Sequence, residues 1–160
     1  MIDFAALFRV LQQHGVRFVL VGGAAATAHG AARLTQDLDI VYDRDDSNLR
    51  HLVNALAPHE PYLRGAPRGL PFQWEAETLR RGLNFTLTTR LGDLDLLGEI
   101  TGGGRYGDLI SHTIELELFD TRCACITLDK LIEVKRAAGR PKDLEAIAEL
   151  ETIRDERAGE

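Results

Sequence analysis

The stretch V-L-V-G-G-A-A-A-T-A-H-G-A-A-R-L-T-Q-D-L-D-I-V, residues 19–41, decides how this chain is read. An apolar strand runs into Gly22 and Gly23, a helix of mostly alanine follows to about His29, and Gly30 to Gln36 form a loop. A second apolar strand then carries two carboxylates. Side chains two apart on a strand point the same way, so Asp37 and Asp39 share one face while Leu38, Ile40 and Val41 are available for a core. Paired carboxylates in an apolar strand are costly unless a cation or proton offsets them. A hard cation such as Mg²⁺ is held by one or two carboxylates plus substrate phosphates. Glycines without Cβ atoms let backbone N–H groups approach a ligand closely, and the following helix turns its positive end to the same place. Phosphate at the glycines and metal at the aspartates together make a nucleotide site.

Working outward, Asp3 caps a first helix whose apolar face is Phe4, Leu7, Phe8 and Leu11, and Gly15 ends it. Arg17 to Val21 and Leu38 to Tyr42 read as strands. Asp46 or Ser47 starts a helix running to about Leu56. Residues 57–71 hold four of the five prolines, with Arg64 and Arg68, and read as a loop that either covers substrate or is a surface excursion. Leu83, Phe85 and Leu87 alternate with polar residues in a half-buried strand, and Asp93 to Leu97 forms an antiparallel partner. Tyr106 to Ser111 reads as a short helix, and Thr113–Phe119 with Arg122–Ile126 as a hairpin. Thr127 caps a helix ended by Gly139, and Arg140-Pro141 starts the last one.

The string G-G-x-A, then H-G, then R-x-T-x-D-L-D-I resembles the nucleotidyltransferase superfamily, whose signature is a glycine pair followed by D-x-D on a strand. It is similar in particular to minimal bacterial members, including the AbiEii-type toxins of toxin–antitoxin systems. The likeness runs from about Phe18 to Leu150. It implies metal-dependent transfer of a nucleoside monophosphate from an NTP, with pyrophosphate leaving. The superfamily places a third acid on a neighbouring strand between apolar residues, and Asp95, between Leu94 and Leu96, suits that place; Asp93 shares its face but lies nearer the turn and is expected to be exposed. Asp37, Asp39 and Asp95 are thus the expected catalytic residues and the ligands of two Mg²⁺ (or Mn²⁺) ions, with Asp95 placed to take the acceptor's proton. Gly22, Gly23, Arg33, Thr35, Lys135 and Lys142 are the expected nucleotide-binding residues. Arg33 either binds phosphate or braces its loop. Lys135, Arg140, Lys142 and Asp143 lie in a string like the family's L-I-x-x-K followed by R-x-K-D; read without the family, these cations are a solvated helix face and end. His29 reads as a packing or capping residue rather than a ligand.

The totals bound the rest. A chain of 160 residues with 44% hydrophobic and 28% charged residues is expected to form one nucleotidyltransferase-like domain, residues 1–160, with a real core. The expected fold is α/β (α+β): a mixed twisted sheet of four to five strands with packed helices. No membrane span or signal peptide is evident, so a cytoplasmic location is expected. Cys123 and Cys125, without a nearby histidine, read as core residues rather than a zinc site. A net charge of −6 argues against a surface that tracks nucleic acid everywhere but allows a local basic groove. The expected setting is a toxin–antitoxin pair, with tRNA or a protein as acceptor and a cognate toxin or antitoxin as partner. The alternatives are an antibiotic-modifying nucleotidyltransferase, for whose substrate pocket the chain leaves little over, and a non-catalytic binding protein of the same fold.

Overall fold

The computed structural model describes residues 2–32 and 35–159. In chain order the elements are α1 (Phe4–Gln13), β1 (Phe18–Val21), α2 (Gly22–Ala28), β2 (Asp37–Tyr42), α3 (Asp46–Leu56), β3 (Tyr62–Leu63), α4 (Ala76–Arg81), β4 (Phe85–Thr89), β5 (Gly92–Leu97), α5 (Tyr106–Leu109), β6 (Thr113–Leu118), β7 (Thr121–Ile126), α6 (Leu128–Ala138) and α7 (Pro141–Ala158). Short 3₁₀ turns at Ala57–His59 and Ile110–His112 extend α3 and α5.

Among the described residues the strands form one mixed sheet of seven, in the order β3-β4-β5-β2-β1-β7-β6. The sequence predicts four to five, and two features account for the difference. The β6–β7 hairpin does not stand apart: β7 runs parallel to β1, pairing Val19 with Ala124 and Leu20 with Cys125, which joins the hairpin to the sheet. The edge strand β3 is two residues long and sits inside the proline-rich stretch that reads as loop, too short for any alternation to show.

Burial follows position in the sheet. Central β1 is buried at all four residues, as expected for a strand covered on both faces. In β2 and β5 the buried positions alternate: Leu38, Ile40, Leu94 and Leu96 are fully buried, while Asp37, Asp39, Asp93 and Asp95 lie on the other face at intermediate exposure. The thin alanine helix α2 lies against β1 and β2 with Ala24, Ala25 and Ala26 buried. The caps match the sequence reading at Asp3, whose side chain accepts from the Ala6 N–H, and at Thr127, which accepts from the Lys130 N–H. Gly139 ends α6 at φ +64°. Cys123 and Cys125 are buried and unbridged, and burial pushes their thiols up to about 11 and about 12. Among the described residues, no helix is long and apolar enough to cross a membrane.

His29 is a packing residue. It is 3% exposed, and its Nε2 lies 2.7 Å from the Ile126 carbonyl, so that nitrogen carries the proton. Arg157, in the last turn of α7, donates from Nη1 to Nδ1 at 3.2 Å and from Nη2 to the His29 carbonyl at 2.8 Å. The imidazole therefore ties the ends of α2, β7 and α7 together.

Candidate active site

Two strand registers assemble the carboxylates. β1 and β2 are antiparallel with Val21 opposite Asp39, so the residue that follows Val21 is driven against the Asp39 side chain. That residue is Gly22, at φ +64°. A Cβ there would land on the Asp39 carboxylate, 2.8 Å from Cγ and 2.9 Å from Cβ, with Oδ2 nearer still. Glycine is required twice over, for the backbone conformation and for the space. At Gly23 the backbone is ordinary, and an added Cβ would lie 3.1 Å from the Thr35 hydroxyl. The helix begins at Gly22 itself rather than after a glycine turn.

β2 and β5 are parallel, with Asp37 opposite Asp93 and Asp39 opposite Asp95. Two D-x-D alternations thus stand side by side on one face. Asp37, Asp39 and Asp95 each offer a carboxylate oxygen, and these three oxygens lie within 4.8 Å of one another. Asp39 Oδ1 is buried with no hydrogen-bond partner, and the buried Asp95 Oδ1 is met by an arginine charge at 2.9 Å without a hydrogen bond. Burial, then the neighbouring Asp95, then Asp37 push the Asp39 carboxyl up to about 8, against a smaller opposing pull from the Gly23 N–H. Burial and Asp95 also raise Asp37. Three converging carboxylates, with an unpartnered buried oxygen on Asp39, are the donor set of a hard divalent cation, so the residues fit a Mg²⁺ or Mn²⁺ site.

A cleft of about 450 Å³ opens beside the carboxylates. Gly22 and Asp39 line one side; Leu131, Val134 and Lys135 of α6, with Arg140 and Asp143 at the start of α7, line another. Lys135 Nζ stands 3.8 Å from Asp143 Oδ1, and the Lys135 side chain is 15% exposed. Asp143 is buried, and Arg140 grips it through Nε at 2.6 Å, Nη2 at 3.2 Å and the backbone N–H at 3.2 Å. Arg140 also feels the Asp39 charge. One wall of the cleft is therefore acidic and the other cationic, the division that a metal-bound polyphosphate needs. A second cleft, about 560 Å³, is lined by Thr35, Gln36, Thr88, Thr89 and Asp93.

The structure thus brings together Asp37, Asp39, Asp95, Gly22 and Lys135. Gly23 and Thr35 are neighbours of the cluster; the Thr35 hydroxyl donates to the Asp37 carbonyl at 2.9 Å. Lys142 is exposed and does not line the cleft. Arg33 lies outside the described residues.

Arg64 is the residue that sequence reasoning left unconnected. It follows β3, and its backbone N–H donates to the Thr86 carbonyl at 2.9 Å. Its side chain crosses β4, donating from Nη2 to the Leu87 carbonyl at 2.8 Å. The guanidinium ends among the acids: Nη2 is 2.9 Å from Asp95 Oδ1, Nε 3.3 Å from Asp93 Oδ2 and Nη1 3.9 Å from Asp37 Oδ2. Asp93, expected to be exposed, is half-buried and paired. The signal in the sequence was an arginine in a loop beside an acidic strand; nothing short of the β3–β4 pairing says which strand it faces.

No family model matches the chain, and no curated protein matches it. Among solved structures, the lincosamide antibiotic adenylyltransferase LnuA, with lincomycin bound, overlays at a TM-score of 0.60 with 16% sequence identity. The match covers 95% of this chain and 98% of that one. The chain therefore shares the fold of an adenylyltransferase along almost its whole described length.

Proposed function

We propose that this protein is a metal-dependent nucleotidyltransferase that moves a nucleoside monophosphate from an NTP to an acceptor hydroxyl. The observation that carries the reading is the convergence of Asp37, Asp39 and Asp95 against a glycine whose missing Cβ makes room for Asp39. When bound, Mg²⁺ or Mn²⁺ would polarise the phosphates and lower the pKa of the attacking hydroxyl. Asp37 and Asp39 are the ligands on the nucleotide side. Lys135 and Arg140, across the cleft from Asp39, meet the triphosphate. Asp95, one strand over, faces the acceptor and takes its proton. Thr35 and Gly23 hold the strand–helix junction in shape; Arg33 and Lys142 are proposed as phosphate contacts on family likeness alone.

Two acceptor classes follow from different observations. The resemblance to AbiEii-type toxins favours tRNA or a protein, with a cognate toxin or antitoxin partner and a cytoplasmic setting. The overlay with LnuA favours a small hydroxylated molecule. The objection that so short a chain lacks room for such a substrate weakens, because 98% of that adenylyltransferase is matched by this chain. The net charge of −6 also suits a small acceptor better than a polyanion.

The test is calorimetric binding of an NTP with and without Mg²⁺, followed by transfer of labelled nucleotide to tRNA, to partner proteins and to lincosamide-like alcohols. Binding is expected to depend on the metal, and Lys135→Ala to weaken it. Asp95→Asn keeps shape but cannot accept a proton. It is expected to retain nucleotide while transfer falls on the order of 10²-fold or more. Equal transfer by Asp95→Asn and wild type removes Asp95 from the mechanism, and metal-independent or absent NTP binding removes the reading.

A further inference from the structure

We infer that Arg64 is a resident cation of the carboxylate row. It stays on Asp93 and Asp95 when the protein is loaded, so that the chain takes one divalent ion, through Asp37 and Asp39, where the open row of four acids would take two. The inference rests on the nucleotidyl-transfer reading and deepens it.

Its first support is the way the contacts divide. The guanidinium reaches Asp95, Asp93 and, more distantly, Asp37, but has no contact with Asp39. Asp39 Oδ1 and Asp95 Oδ1 are both buried without a hydrogen bond, but Asp95 Oδ1 has the Arg64 charge at 2.9 Å while Asp39 has no ion pair with it, and Asp39 is the acid that lines the cleft with Gly22 and Lys135. Its second support is anchoring. The Arg64 N–H continues the β3–β4 ladder, and Nη2 is fixed on the Leu87 carbonyl, so the arginine is held by the sheet rather than by a swinging loop. The chain beyond it is tied back on Tyr62: the phenol donates to the Pro67 carbonyl at 2.7 Å, Phe72 meets the ring edge-on at 5.8 Å, and Arg68 lies 4.9 Å from the ring centre. The third support is chemical. Asp93 and Asp95 are two apart on one strand and present a pair of carboxylates to one guanidinium charge, which cannot lose its proton and is weakly hydrated. A fixed guanidinium supplies there the charge that a second ion would supply, with no metal to bind or lose.

The experiment counts metal. Wild type and Arg64→Gln are dialysed against Mn²⁺ with α,β-methylene-ATP, and bound Mn²⁺ is counted by electron paramagnetic resonance. Wild type is expected to saturate at one ion per chain and the variant at two. Two ions in wild type, or one in each protein, overturns the inference while leaving nucleotidyl transfer intact. No bound ion and no bound nucleotide in either protein overturns both. A second readout needs only wild type, in case the variant fails to fold. Arg64 Nε is buried, so its ¹⁵N Nε–H resonance is expected to exchange slowly with solvent both in the free protein and at saturating Mg²⁺ and α,β-methylene-ATP. Its collapse to a free-arginine signal overturns the inference.

Discussion

Replacing Gly22 by alanine tests the junction of β1 and α2 at its tightest point. Two costs combine. The residue sits at φ +64°, where an L side chain costs roughly 1–2 kcal/mol. The new methyl would also overlap the Asp39 carboxylate, whose Cγ lies 2.8 Å from its position. Relieving that overlap forces Asp39 away from its preferred rotamer, at about 0.5–1.5 kcal/mol. The total is about 1.5–3.5 kcal/mol, which for a chain of this size lowers the melting temperature by roughly 3–14 °C. Gly23→Ala is the internal control. Its backbone is ordinary, its new contact is 3.1 Å to the Thr35 hydroxyl, and the loss of glycine in a helix favours alanine. The net change there is expected to stay within about 1 kcal/mol. Urea unfolding in EDTA measures both variants. A double-mutant cycle with Asp39→Ala isolates the steric part: the Cγ and Oδ2 contacts vanish, while the φ penalty and a 2.9 Å approach to the Asp39 Cβ remain. Gly22→Ala is therefore expected to cost less in the Asp39→Ala background. Equal stability of the Gly22→Ala and Gly23→Ala variants would refute the register argument, because that register is what drives Asp39 into the space of the missing Cβ.

Two further outcomes concern pH. Burial and the neighbouring Asp95 and Asp37 raise Asp39 from 3.8 to about 8, so its contribution is fully present below 3.8 and is lost as pH rises through about 8. Metal-free wild type is expected to lose stability between pH 5 and 8.5, and Asp39→Asn to be the more stable protein at pH 8.5 in EDTA. A flat wild-type profile in denaturant titrations would count against the crowding of the carboxylates. His29 acts in the opposite direction: burial lowers it from 6.5, so its contribution is present above 6.5 and is lost as pH falls below that value. A loss of stability below pH 6.5 is expected in wild type and absent in His29→Asn, as read by thermal melts at pH 5 and 7.

Much of this molecule was determined by the sequence alone, because local rules govern it. Period-two alternation put Asp37 and Asp39 on the face opposite Leu38 and Ile40, and did the same for Asp95 between Leu94 and Leu96. Asp3, Thr127 and Gly139 mark helix ends through contacts within a few residues, so their chemistry is readable in place. Alternation fixes a strand's faces but not its neighbour or register. Only the tertiary structure decided that β2 and β5 run parallel with Asp39 opposite Asp95, that β7 joins β1 to extend the sheet to seven strands, and that Val21 opposite Asp39 makes Gly22 indispensable. The same limit hid Arg64. Its side chain crosses a whole strand to reach the acids, and a two-residue strand inside a proline-rich stretch carries no periodic signal to place it. Pairings between distant segments arise from how the whole sheet closes over its core, and no window of sequence contains that information.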